Sequence, residues 1–117
     1  MNYIDGYVIA VPTANREAYR AKAEKMAVVF KKNGALSVVE NWGDDVPEGK
    51  LTSFTMAVKR EESESIVFSW VTWPSRAARD EGWKAVMQDP IMQDDGTAQL
   101  FDGKRMIFGG FQTIVQA

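Results

Sequence analysis

Arg79 stands four residues before Trp83 and seven before Val86. Helical spacing across that stretch puts Ala78, Gly82, Ala85 and Val86 on an inward face, flanked by Trp83 and Met87, and Arg79 falls inside it. A guanidinium there needs a carboxylate or several carbonyls. Two roles fit. One is a structural ion pair with an acid such as Asp5 or Asp102, or a stem that snorkels to water. The other is an anchor for an anion or carbonyl in a pocket between helix and sheet. Lys22 poses the same choice between Tyr19 and Met26, and Tyr19 reads as a core residue with a bonded hydroxyl or as an acid.

Four tryptophans (Trp42, Trp70, Trp73 and Trp83) can pack a core or a dimer interface, or form a stacking wall for a flat ligand. Asp44-Asp45 and Asp94-Asp95 lack the alternating oxygen ligands and closing Glu of a calcium loop, so they read as solvated turns. Asp102-Gly103 reads as a turn, and Lys104-Arg105 either points a positive group at the mouth of a pocket or forms a surface pair. The chain has no cysteine and no histidine. That removes disulfides, thiol nucleophiles, the commonest general base and the commonest ligand of zinc and haem iron. No metal and no cofactor is expected. The chemistry left is proton transfer by a tuned carboxylate or lysine, or binding alone.

These residues need elements to hold them. At 117 residues, 45% hydrophobic and 26% charged, the chain reads as a single globular domain over 1–117. A net charge of −2 with dispersed Lys and Arg shows no basic stripe, so no nucleic-acid partner is expected. The opening MNYIDGYVIAV has no basic leader and reads as a strand, and no run approaches the roughly 18 apolar residues of a membrane span. A cytoplasmic protein follows as the expectation.

Residues 3–11 are rich in β-branched and aromatic types and stop at Pro12. Asn15 is placed to cap a helix to Lys32 with Tyr19, Ala23, Met26, Val29 and Phe30 on one stripe, and Gly34 to close it. A strand is predicted at 35–43, an extended piece at 51–58 and the strongest strand at 66–73. Ser75 caps a helix over 76–88 that ends at Asp89-Pro90, and a last strand follows Phe101-Asp102-Gly103. This order is that of an α+β ferredoxin-like βαββαβ sandwich, two helices on one face of an antiparallel sheet, with 51–58 as an extra strand or insertion.

The alternation says more. Ile66, Phe68 and Trp70 oppose Val67, Val71 and Trp73, and Met106, Phe108 and Ile114 oppose Ile107, Phe111 and Val115. Both faces of the sheet are apolar, yet two helices cover one. A homodimer packed sheet to sheet is the predicted cover. The adjacent Gly109 and Gly110 inside the last strand imply close neighbours on both of its sides.

The stretches YIDGYVIAVP, NREAYR, NGALSVVENWGDDVPEGKLTSF, VFSWVTWPSRAARD and FDGKRMIFGGF together resemble the YbaA-like family of bacterial domains. The resemblance spans nearly the whole chain, and FDGKRMIFGGF and WGDDVP are its most specific strings. It implies a dimeric α–β barrel and carries over no catalytic residue. The wider superfamily holds cofactor-independent monooxygenases, isomerases, haem enzymes and stress-responsive binding domains; the absence of histidine departs from its His-dependent members. Three functions follow as expectations. The first is binding of a small aromatic or carbonyl molecule in a pocket lined by Tyr19, Lys22, Trp70, Arg79 and Arg105. The others are a non-catalytic dimeric interaction or stress-related module, and a cofactor-independent monooxygenase- or isomerase-like enzyme.

Overall fold

The computed structural model describes residues 2–93 and 100–117, so the Asp94-Asp95 turn lies outside the described residues. Strand β1 (Tyr3–Pro12) leads through a short turn into helix α1 (Arg16–Lys32), and strand β2 (Ser37–Trp42) follows. A single helical turn, α2 (Phe54–Ala57), precedes strand β3 (Glu64–Trp73), helix α3 (Arg76–Gln88) and strand β4 (Ile107–Gln112). The strands lie in the order β2-β3-β1-β4, all neighbours antiparallel. That is the ferredoxin-like βαββαβ arrangement, with the two long hydrophobic strands in the centre of the sheet. No helix among the described residues is long and apolar enough to cross a membrane.

The helices end where their punctuation predicts, with one exchange of roles. Ser75 Oγ accepts from Ala78 N at 3.0 Å and starts α3. Asn15 stands at the N-cap of α1, but its side chain makes no cap bond. Its Nδ2 donates instead to Leu100 O at 3.0 Å and ties the helix start to the approach of the last strand. Tyr19, Val29 and Phe30 are the buried residues of α1, as its stripe requires. On α3 the buried pair is Gly82 and Val86, while Ala85 is exposed; the inward face is narrower than the spacing suggests.

The extended piece predicted at 51–58 is instead a helical turn. Ser53 Oγ accepts from Met56 N at 3.0 Å, and Thr55 Oγ1 donates to Glu48 Oε2 at 3.0 Å. A short apolar run carries no periodicity of its own, so the cap decides. Val58, fully buried, packs with Val8, Ala10 and Ile66 on the sheet face away from α1 and α3, and Val46 joins them. The chain thus covers part of its own second face. What stays open lies around Gly6 and Gly109: Phe68, Ile107 and Phe111 are exposed there, with Phe54 at the edge.

Two glycines mark close approach on the helix side. A Cβ on Gly110 would collide with Arg79 Nη2 and the Tyr3 hydroxyl and lie 2.8 Å from Tyr3 Cε2. Gly109, facing the other way, meets only the Phe111 ring of its own chain at 3.5 Å, ordinary contact. Gly82 lets the Trp73 indole slide under α3: a Cβ there would strike that ring (2.6 Å to Cη2) and approach Asn33 O to 2.8 Å.

The far end of the sheet is clamped by Arg105. Its Nη1 and Nη2 donate to Glu64 at 2.7 and 2.6 Å, its Nε to Asp102 at 3.1 Å, and Nη1 also to Lys59 O at 3.0 Å. The fork holds the buried Glu64 carboxyl below the usual carboxylate range.

Two outcomes follow. Gly82→Ala should lose about 1–3 kcal/mol through overpacking against Trp73, whereas Gly103→Ala, with nothing within 4 Å of the new Cβ, should melt like the parent. Equal melting of the two would show that the indole has room to move. The depressed Glu64 carboxyl stabilises the fold above the ordinary glutamate pKa, and that contribution fades as pH falls from there through the folded value. Glu64→Gln should therefore flatten the acid side of a melting-temperature curve against pH, and an unaltered slope would dismiss the clamp.

Candidate functional site

Alternation along β1 sends Tyr3, Asp5, Tyr7 and Ile9 toward the helices. Pairing then sets Tyr7 beside Ser69 and Ser69 beside Glu40, a polar row running across the middle of an otherwise apolar face. The next row brings Asp5 level with Val71 on one side and Gly110 on the other.

Asp5 is only 5% exposed. A carboxylate at that depth needs donors, and it has three. Trp73 Nε1 and Trp83 Nε1 each donate to Oδ2 at 2.9 Å, and Arg79 Nε donates to Oδ1 and Oδ2 at 3.1 and 3.2 Å. Arg79 Nη1 donates to Asp80 Oδ1 at 2.8 Å, and its Cζ lies 5.0 Å from the centre of the Tyr3 ring. Bonds to Asp80 first, and to Asp5 after it, keep the guanidinium charged. Phe30 meets both indoles edge-on, at 6.1 and 5.1 Å between centroids. The structural ion pair is therefore the resting state of Arg79, with Asp5 as the acid.

Helix α3 stops short of β4, and a groove of about 840 Å³ opens between them. Tyr7, Arg79, Trp83, Met87, Met106 and Phe108 form its walls. Tyr7 lines this groove, and its hydroxyl is buried with no hydrogen-bond partner among the described residues. Burial first, and the charge of Asp5 second, push its pKa above the ordinary phenol value, so it stays a neutral phenol with a proton to donate.

A second groove, of about 580 Å³, lies between α1 and β2. The Tyr19 hydroxyl donates to Glu40 Oε1 at 2.7 Å on its floor. Glu40 is open along the groove edge, yet the protein mass around its carboxyl raises its pKa, partly offset by the bonds from Tyr19 and Ser69. Burial and the neighbouring Glu40 raise the Tyr19 phenol as well. Arg16 lies over the Trp42 ring with Cζ 5.6 Å from its centre. Among the described residues no group of three or more acidic, histidine or cysteine side chains could hold a metal ion.

The five residues singled out by sequence are spread over the molecule. Tyr19 and Arg79 line different grooves, on the α1 and α3 sides of the same face. Lys22 is half-buried on α1. Trp70 points to the other face, edge-on to Phe68 at 5.5 Å. Arg105 belongs to the clamp on Glu64. Tyr7 and Glu40 are the residues the sequence reading passed over. Period-two alternation places Tyr7 two residues from Asp5 on one face, which is the signal that finds it; Glu40 becomes visible only once β2 is paired to β3.

Comparison with known proteins agrees with this fold. The family model described as "Protein of unknown function (DUF1428)" matches residues 2–103. The uncharacterized protein YbaA of Escherichia coli K12 is 52% identical over 115 residues, 98% of each chain. Among solved structures, a dimeric ferredoxin-like protein from an uncultured marine organism superposes with a TM-score of 0.65 at 14% identity, over 99% of this chain and 98% of that one. SnoaB, a cofactor-independent oxygenase from Streptomyces nogalater, gives 0.64 at 13% identity, over 98% and 95%. With the family model covering residues 2–103, the chain belongs to the DUF1428 family.

Proposed function

We propose that the protein binds a small, flat molecule bearing an acceptor oxygen, an aromatic carbonyl or phenolate compound, in the groove between α3 and β4. One observation carries this reading: the buried Tyr7 hydroxyl that no described residue satisfies. Leaving such a group unpaired costs about 1–3 kcal/mol. A ligand oxygen would accept its proton. Trp83, Met87, Met106 and Phe108 offer flat and polarisable walls, and the groove has the size of a small-molecule site. Arg79, fixed by Asp5 and Asp80, borders the same space and adds positive charge near an oxygen bound to Tyr7. That a structural neighbour is a cofactor-independent oxygenase is in keeping with a groove of this kind.

A homodimer belongs to the same proposal. Phe68, Ile107 and Phe111 are exposed on the face that the chain's own 43–58 segment leaves uncovered, and a neighbouring structure is a dimeric ferredoxin-like protein. A second copy laid on this patch would bury the three side chains, and a stable interface needs about 1,000 Å². A cytoplasmic protein with no nucleic-acid partner completes the reading, in line with dispersed charge and a net −2.

Thermal-shift measurement with a panel of aromatic carbonyl compounds and phenols tests the site. Compounds that raise the melting temperature of the parent should lose that effect in Tyr7→Phe, while the variant without ligand melts at or above the parent, since it sheds an unpaired hydroxyl. A panel without one stabilising compound, or stabilisation that survives Tyr7→Phe, would remove the groove from consideration. For the dimer, sedimentation at micromolar concentration should show two chains. Phe111→Asp should give one, because Phe111 lies 60% exposed at the centre of the patch; a parent that sediments as a monomer ends that part of the reading.

A further inference from the structure

We propose that the groove between α1 and β2 is a second, separate binding site, which takes a small zwitterion by pairing its ammonium group with Glu40 and its carboxylate with Arg16.

The acidic side is built before any ligand arrives. Tyr19, itself 8% exposed, donates its hydroxyl proton to Glu40 Oε1 at 2.7 Å. Ser69, 2% exposed, bonds the same carboxyl from the neighbouring strand. Both donors come from buried residues, so the carboxyl is held in one place at low entropic cost. Neither supplies positive charge. Among the described residues no ion pair includes Glu40, and its carboxyl is shielded enough for burial to raise its pKa. An ammonium group would remove that penalty.

The basic side is positioned in a different way. Arg16 rests on the face of the Trp42 indole, 5.6 Å from its centre, and no ion pair among the described residues involves it. Held over the ring without a carboxylate partner, this guanidinium keeps N–H donors for a ligand carboxylate. Arg20 is occupied by Glu17 and Glu24 and does not compete with Arg16 for a ligand carboxylate. Glu40 and Arg16 border one groove without bonding each other. Trp42 and Glu40 are two residues apart on one face of β2, roughly 6.6 Å along the strand. A molecule spanning them carries its two charges several bonds apart, as in an ω-amino acid. Ala23, Ala27 and Val38 line the same groove and give it apolar wall against which a methylene chain can lie.

Isothermal titration calorimetry on the intact protein tests this, with β-alanine, γ-aminobutyrate and δ-aminovalerate as probes and butylamine and butyrate as single-charge controls. At least one zwitterion should bind more tightly than both controls. Glu40→Gln keeps the acceptor for Tyr19 and removes the charge; Arg16→Gln removes the other. Each should weaken that zwitterion about tenfold or more, while Glu81→Gln, a charge loss on the exposed side of α3, leaves it unchanged. Circular dichroism confirms that the variants are folded. Binding of no zwitterion, equal binding of a single-charge control, or undiminished binding by either groove variant overturns the proposal. None of these results bears on Tyr7 or on the α3–β4 groove.

Discussion

A single buried carboxylate organises this molecule. Asp5 lies in β1, one of the two central strands of the sheet, and its three donors come from the end of β3, from the middle of α3 and from the first turn of that helix. Removing any one donor leaves the other groups aimed at a charge that is less well satisfied, in a place where water cannot compensate. The constraint propagates outward. For both indoles to reach one oxygen, Trp73 must pass beneath α3, and only a residue without a side chain at Gly82 permits it. For Arg79 to lie across Tyr3 and reach Asp5, β4 must present no side chain at Gly110. The glycine in the last strand is thus the cost of a hydrogen bond made two elements away.

The same carboxylate fixes where the grooves can be. It pulls α3 toward β1 and β3, which leaves β4 uncovered on the helix side and opens the space that Phe108 and Met106 border. On the other side α1 meets Trp83 of α3 at Phe30, and the second groove lies between α1 and β2, bridged by the Tyr19–Glu40 bond. Each groove lies between a helix and an edge strand, and the polar row Tyr7, Ser69 and Glu40 reaches from one to the other.

Much of this was legible in the residues. The cap at Ser75 and the stop at Asp89-Pro90 locate α3 to the residue, because capping is local chemistry. Alternation in β3 assigns Ile66 to one face and Val67, Val71 and Trp73 to the other, as the core clusters have them. The sequence also offers Asp5 and Asp102 as acids for Arg79, and the structure pairs Arg79 with the first and Arg105 with the second. The candidate site residues are parted by pairing and partners that composition does not display. Trp70 and Arg105 were grouped with Tyr19 because aromatic and basic types suggest a pocket, but strand parity sends Trp70 to the opposite face, and Arg105 answers to Glu64, forty-one positions earlier. Glu40 draws its meaning from Ser69 and Tyr19, which strand pairing alone brings beside it. The 51–58 segment misled for a simpler reason: a run too short to show a period takes its conformation from one serine.

The four tryptophans divide the molecule optically. Trp73 and Trp83 share one carboxylate oxygen, Trp42 lies under a guanidinium at the opposite groove, and Trp70 stands on the face that α2 and its flanks leave half-covered. Their emission is therefore a sum over three environments, each next to a different surface. Fluorescence followed during unfolding will combine loss of the Asp5 cluster with exposure of both faces of the sheet, and will match far-ultraviolet dichroism only if all three are lost together. Replacing tryptophans one at a time by phenylalanine would turn that composite signal into separate reporters, with Trp42 and Trp70 the two whose indole nitrogens bear no part of the core.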